Sequence, residues 1–182
     1  MKTLIFNGSP RKNGDTAKLL EKLCATLEGE VRIVRAYDCD ISPCVDCRYC
    51  WKHSGCAIKD GMEEIYGWIK DCDNIVIASP VYFSTLTGPL LSLMSRVQTI
   101  FCGPFFRGEE KLSGKRGAII VVGGGNGKPD GAISTARMLL KEMGARDILP
   151  AVLFHDTDNC PAVEDEETCR KVEEIAAALN DR

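Results

Sequence analysis

Four cysteines, Cys44, Cys47, Cys50 and Cys56, are spaced as C-x2-C-x2-C-x5-C, close enough for four thiolates to wrap one metal centre. The three at x2 spacing match the CxxCxxC run that bends around a cubane iron–sulfur cluster. Zinc is a second reading, since structural zinc sites more often use two separated CxxC pairs. A loop of packed or free thiols is the third, and a disulfide is disfavoured in the reducing compartment expected for this chain. The other chemistry-bearing stretch is Asn7-Gly8-Ser9-Pro10-Arg11-Lys12-Asn13-Gly14-Asp15-Thr16. It is rich in hydroxyls, amides, glycine and cations, with no carboxylate before Asp15, a composition that suits a bound phosphate. Gly8 and Gly14 let the backbone approach closely, and the N–H groups of the following helix carry partial positive charge. Ser9, Asn13 and Thr16 can donate side-chain hydrogen bonds, and Arg11 charge-assisted ones of about 1.5–3 kcal/mol each. The stretch contains neither GxxxxGK followed by Ser or Thr nor GxGxxG, so it is no triphosphate P-loop and no dinucleotide fingerprint. The plain alternative is a strand–helix turn with capping residues.

The elements that must position these residues alternate in type. Thr3-Leu4-Ile5-Phe6 is a short apolar run, as for a strand buried on both faces, and the apolar spacing then turns helical over 16–27. A strand is expected over 31–36, and a long irregular stretch over 37–59. A helix follows over 61–71, where Asp60 is placed to cap it, and a second buried strand over 74–79. Pro80 to Gly88 forms another strand-end loop, and Thr87 is placed to cap a helix over 89–100. Residues 101–114 read as a connector, 115–122 as a third buried strand, and 123–127 as a glycine-rich loop. A helix over 131–143, a last strand over 148–153 and a last helix over 164–179 complete the pattern. Alternating strands and helices with continuous apolar strands predict a parallel sheet covered on both faces.

The 182 residues, 45% hydrophobic and 27% charged, fit one soluble domain, and a net charge of −3 gives no reason to expect nucleic acid. The chain starts directly into a strand and holds no apolar run of spanning length, so a cytoplasmic location without membrane association is expected. Ten cysteines are many for such a chain. Cys24, Cys39, Cys72, Cys102, Cys160 and Cys169 lack ligand spacing and read as packing or surface thiols. His53, inside the cysteine run, reads as a spectator, a proton donor or an alternative ligand.

Gly8-Ser9-Pro10-Arg11-Lys12-Asn13-Gly14-Asp15-Thr16 resembles the GSPRKNGNT segment of flavodoxin-like NAD(P)H-dependent FMN reductases, with Asp15 in place of the commoner Asn. Ser79-Pro80-Val81-Tyr82-Phe83-Ser84 through Gly88 resembles that family's SPxYxxxxxG ring-binding loop. The resemblance implies an α/β fold: one flavodoxin-like FMN-binding domain over 1–182, with a doubly wound five-stranded parallel sheet of order 2-1-3-4-5. Helices lie on both faces, and a cysteine-rich insertion spans about 38–59. Ligands in such sheets sit beyond the strand carboxyl ends, at the switch between the first and third strands. Ser9, Arg11, Asn13, Gly14 and Thr16 would hold the FMN phosphate. Pro80, Val81, Tyr82, Phe83, Ser84, Gly123, Gly124, Gly125 and Asn126 would frame the ring.

The cysteine run resembles the compact motif of iron–sulfur flavoproteins, which carry [4Fe-4S] besides FMN. It also resembles a PCxxCxxCWKxxxC stretch of FMN reductase relatives for which no cluster is established. The implied activity takes electrons from NAD(P)H, or from ferredoxin, through FMN to a small acceptor such as a quinone or free flavin. Flavin chemistry needs no protein acid or base for hydride transfer, so no catalytic residue is assigned. An electron carrier with cluster and FMN, and a non-enzymatic redox sensor, are the competing readings. The resemblance also implies a homodimer or tetramer, for which Trp51, Trp68, Phe105 and Phe106 are the contact aromatics the sequence offers.

Overall fold

The computed structural model describes residues 1–125 and 127–181. In chain order the main elements begin with β1 (Lys2–Asn7), α1 (Asp15–Thr26), β2 (Glu30–Arg35), α2 (Tyr49–Lys52) and α3 (Met62–Asp71). Then come β3 (Asn74–Pro80), α4 (Gly88–Met94), a 3₁₀ turn (Ser95–Val97), α5 (Gln98–Phe106) and β4 (Lys115–Val122). The chain closes with α6 (Asp130–Glu142), β5 (Ala145–Ile148), β6 (Val152–Phe154), a 3₁₀ turn (Ala162–Glu164) and α7 (Glu166–Asn180).

All the strand pairings of the sheet are parallel, and the order is β2-β1-β3-β4-β5, with β6 also on β4. The pleat sends alternate residues to opposite faces, and both faces are covered. Leu4, Phe6, Ile75 and Ile77 pack with α3, α4 and α6, while Ile5, Val76, Ala78 and Ile120 pack with α1 and α7. Double coverage is the reason these strands read as unbroken apolar runs rather than alternating ones.

Three expected boundaries differ. The last strand, expected as one piece over 148–153, is two short pieces pairing with successive halves of β4: Gly117 pairs with Ile148, and Ile120 with Val152. Pro150 lies between them and has no N–H to continue the ladder. Residues 101–106, expected in a connector, instead extend the helical run through α5. Cys102 and Gly103 are buried there, so packing overrides the Gly103-Pro104 break signal. The irregular stretch 37–59 carries the one-turn helix α2, bounded by left-handed Arg48 at φ 59°.

Candidate functional site

The carboxyl ends of β1, β3 and β4 open on a cleft of about 180 Å³. Asn7 ends β1 and its Oδ1 accepts from Ser9 N at 2.8 Å, which reverses the chain, while Ser9 Oγ accepts from Arg11 N at 3.2 Å. Gly8 is held from both sides: its N–H donates to Ala78 O at 2.8 Å, and Thr87 Oγ1 donates to Gly8 O at 2.8 Å. The Thr87 hydroxyl therefore pins the turn rather than capping α4, whose first residue it precedes. Gly14 precedes α1 without a side-chain cap, leaving first-turn N–H groups directed at the cleft. Asp15 also lines the cleft, and its carboxylate accepts from Ala162 N at 2.8 Å, which ties α1 to the chain's last segment.

Of the residues picked from sequence, Ser9, Arg11, Gly14, Thr16, Pro80, Val81, Tyr82, Gly123 and Gly124 line this cleft. Asn13, Phe83, Ser84 and Gly125 are exposed and stand outside its lining, and Asn126 lies outside the described residues. Tyr82 and Thr85 exchange two backbone hydrogen bonds of 3.0 Å, closing a two-residue turn with Phe83 at φ 50° and Ser84 at φ 64°. Neither is glycine, so the turn stores strain of about 1–3 kcal/mol per residue at the rim of the cleft.

Sequence reasoning missed three contributors. Thr157 and Asp158 line the cleft from the loop after β6, and the Asp158 carboxylate lies where a Gly124 side chain would be. Tyr37, just beyond β2, faces Tyr82 and Thr87; burial first, then Tyr82, push its phenol above the ordinary value. Only its place beyond a strand's carboxyl end could have marked it. A Gly8→Ala Cβ would meet Leu90 Cδ2 at 2.8 Å, Ser79 Oγ at 2.9 Å and Thr87 Oγ1 at 3.0 Å. This variant is expected to melt about 2–12 °C below the parent in a thermal scan, for overpacking of about 1–3 kcal/mol.

Cys44, Cys47, Cys50 and Cys56 line a second, narrow concavity of about 20 Å³. Its platform is α4 to α5. Ser95 Oγ accepts from Cys44 N at 2.9 Å, Thr99 Oγ1 donates to Gly55 O at 2.7 Å, and Arg107 donates to Cys50 O. Trp51 stacks on Phe106 with centroids 4.4 Å apart. His53 stacks on Tyr49 and is absent from the concavity's lining. Among the described residues, no three His, Cys, Asp or Glu side chains are gathered tightly enough to hold a single ion. Cys102, fully buried, sits behind Cys50; burial, then this neighbour, push the Cys50 thiol up to about 11.

Arg96 anchors the whole segment. Its wholly buried guanidinium donates from Nη1 to Ser42 O at 2.8 Å and Asp60 Oδ2 at 2.7 Å, and from Nη2 to Ile58 O at 3.1 Å and Asp60 Oδ1 at 3.2 Å. Asp60 Oδ1 also accepts from Met62 N at 3.1 Å, the first N–H of α3, while the capping position expected for it is held by Gly61. Burial alone would raise the Asp60 carboxyl, but the bonds from Arg96 and two backbone N–H groups hold it below its ordinary value. The pair's stabilisation is thus present at neutral pH and lost as pH falls below about 4, through the folded-state value. Asp60→Ala leaves the buried cation unpaired and is expected to cost about 3–5 kcal/mol in urea unfolding at pH 7. Repeating the measurement at pH 3 should shrink the gap between variant and parent.

A phosphate-suited turn at the switch point of a doubly wound parallel sheet defines a mononucleotide-binding α/β protein. The chain belongs to the NADPH-dependent FMN reductase family, whose model matches residues 1–159. It is 31% identical over 157 residues, 85% of its length, to an iron-sulfur flavoprotein of Archaeoglobus fulgidus, and covers 69% of that relative. A second iron-sulfur flavoprotein of the same organism is 37% identical over 127 residues, 65% of this chain and 60% of the relative. An FMN-dependent NADH-azoreductase from Bacillus anthracis, solved in complex with FMN, superposes with a TM-score of 0.72 over all of both chains at 17% identity, a likeness of fold. Among the described residues, no helix is long and apolar enough to cross a membrane.

Proposed function

We propose that this chain is an FMN-dependent oxidoreductase that passes electrons from NAD(P)H to a small acceptor such as a quinone or free flavin. The observation that carries it is the uncapped start of α1, opening with Ser9 and Thr16 on a cleft walled by Tyr82 and Gly123-Gly124. The fit to FMN is good on this chain's own terms. Orphan helix N–H groups suit a phosphate, and Gly8 lets the turn pack directly on Leu90, Ser79 and Thr87 beneath it. Bound FMN would supply two-electron and one-electron redox chemistry at one ring. The protein's share is placement. Ser9, Arg11, Gly14 and Thr16 would hold the phosphate, and Pro80, Val81, Tyr82 and Gly123-Gly124 the ring. Asp158 keeps a carboxylate against Gly124 in the lining of the same cleft.

A second element of the reading is a [4Fe-4S] cluster on Cys44, Cys47, Cys50 and Cys56. The four thiols share one concavity. The relatives named iron-sulfur flavoproteins support it. With a cluster, reduced ferredoxin becomes a second electron source, and a carrier role joins the reductase role. Exposed Phe105 and Phe106 support a homodimer or tetramer.

Titration of apoprotein with FMN and with riboflavin tests the flavin. Ser9→Ala and Thr16→Val should each weaken FMN binding about tenfold or more while leaving riboflavin affinity nearly unchanged, since only FMN carries the phosphate. Equal losses for both ligands would place the phosphate elsewhere. Anaerobic purification should give about four iron and four sulfide per chain if the cysteine run is loaded. Iron-free, sulfide-free protein would remove the cluster and leave the flavin enzyme.

A further inference from the structure

Arg96 makes four hydrogen bonds through its two terminal nitrogens, and these explain its role as a clamp on the cysteine segment. They leave one donor over. Arg96 Nε is the buried side-chain nitrogen that has no hydrogen-bond partner among the described residues. A buried donor left bare costs about 1–3 kcal/mol, and more on a charged group, so such an orphan calls for a partner. The same side chain lines the concavity shared by the four cysteines. Cys56 is near enough to influence the guanidinium's charge, as are Tyr66 and Asp60. Tyr66 braces the residue from behind, donating its hydroxyl to Arg96 O at 2.9 Å. A clamp could be built from neutral donors; a desolvated cation beside four thiols serves a negative occupant better.

We propose that Arg96 is a positioning residue for the iron–sulfur centre, donating its free Nε–H to sulfur on the Cys56 side and setting the centre's potential. The proposal rests on the cluster reading given above. A thiolate-bound cluster is anionic in both redox states and more so when reduced. A fixed cation in low dielectric therefore favours the reduced form, and a hydrogen bond to sulfur does the same. Asp60 offsets part of that charge through its two bonds to Arg96 and so sets how much of it the cluster feels.

The test uses the full chain, purified anaerobically, as wild type and as Arg96→Lys, Asp60→Asn and Thr99→Val. Iron and sulfide are counted, and the cluster's one-electron midpoint is read by dithionite titration followed by electron paramagnetic resonance. Lysine keeps the charge but has no Nε–H in the guanidinium plane. Arg96→Lys should lower the reduction equilibrium about tenfold, moving the midpoint about 59 mV more negative. Asp60→Asn removes the offsetting charge and should move it the opposite way. Thr99→Val loosens the same segment through its Gly55 bond and leaves all four Arg96 bonds in place, so it should change cluster content and move the midpoint far less than Arg96→Lys. Where Arg96→Lys retains no cluster, Asp60→Asn decides: a positive shift supports the proposal, and no shift overturns it. A loaded wild type whose midpoint is unmoved by both substitutions, or moved as much by Thr99→Val, reduces Arg96 to a clamp. A wild type without iron and sulfide overturns the cluster reading itself, and this inference with it.

Discussion

The parallel ladder is the constraint from which the rest follows. Parallel strands must return through crossovers, so their carboxyl ends gather on one edge while helices cover both faces. β1 lies between β2 and β3, and the chain leaves it on one side and comes back on the other. The crevice at that switch is where backbone N–H groups remain unpaired without being buried. Ser9, Thr16 and the start of α1 are there for topological reasons before they are there for chemical ones.

One helical rod, α4 through α5, serves both candidate sites. Thr87, just before it, pins Gly8 in the phosphate turn. Further along, Ser95, Arg96 and Thr99 hold the cysteine segment by hydrogen bonds to its backbone and to Asp60. A loop from 37 to 59 with little regular structure cannot satisfy its own backbone groups, and buried ones left unpaired are costly. Arg96 solves this for Ser42 and Ile58 together, and Asp60 makes the buried charge tolerable. The two sites are thus mechanically joined.

Charge is distributed with the same economy. Asp15 and Asp158 both line the cleft; the Asp15 carboxylate is committed to the Ala162 N–H, and that of Asp158 lies against Gly124. Negative charge near an anion site is acceptable when it is spent on ordering the loops that frame that site. The strained turn at Phe83-Ser84 sits at the same rim, in keeping with the tendency of strain to collect at functional edges.

Much of this was legible in the residues. Apolar run length and the change of period at Asn7–Thr16 determined the strands, the first helix and the phosphate-suited turn, because these depend on local spacing. The C-x2-C-x2-C run likewise declared a thiol-rich segment, and Asp60 its place beside the start of α3. Tertiary packing decided the remainder. Pro150 divided the last strand only because β4 lay alongside to pair with both halves. Cys102 came to rest behind Cys50, and Tyr37 beside Tyr82, through contacts between segments far apart in the chain. Arg96 carries no local signal that distinguishes it from the chain's other cations. Burial against Ser42, Ile58 and Asp60 made it the anchor of the cysteine segment, since a buried charge acquires its meaning from partners that no local pattern names.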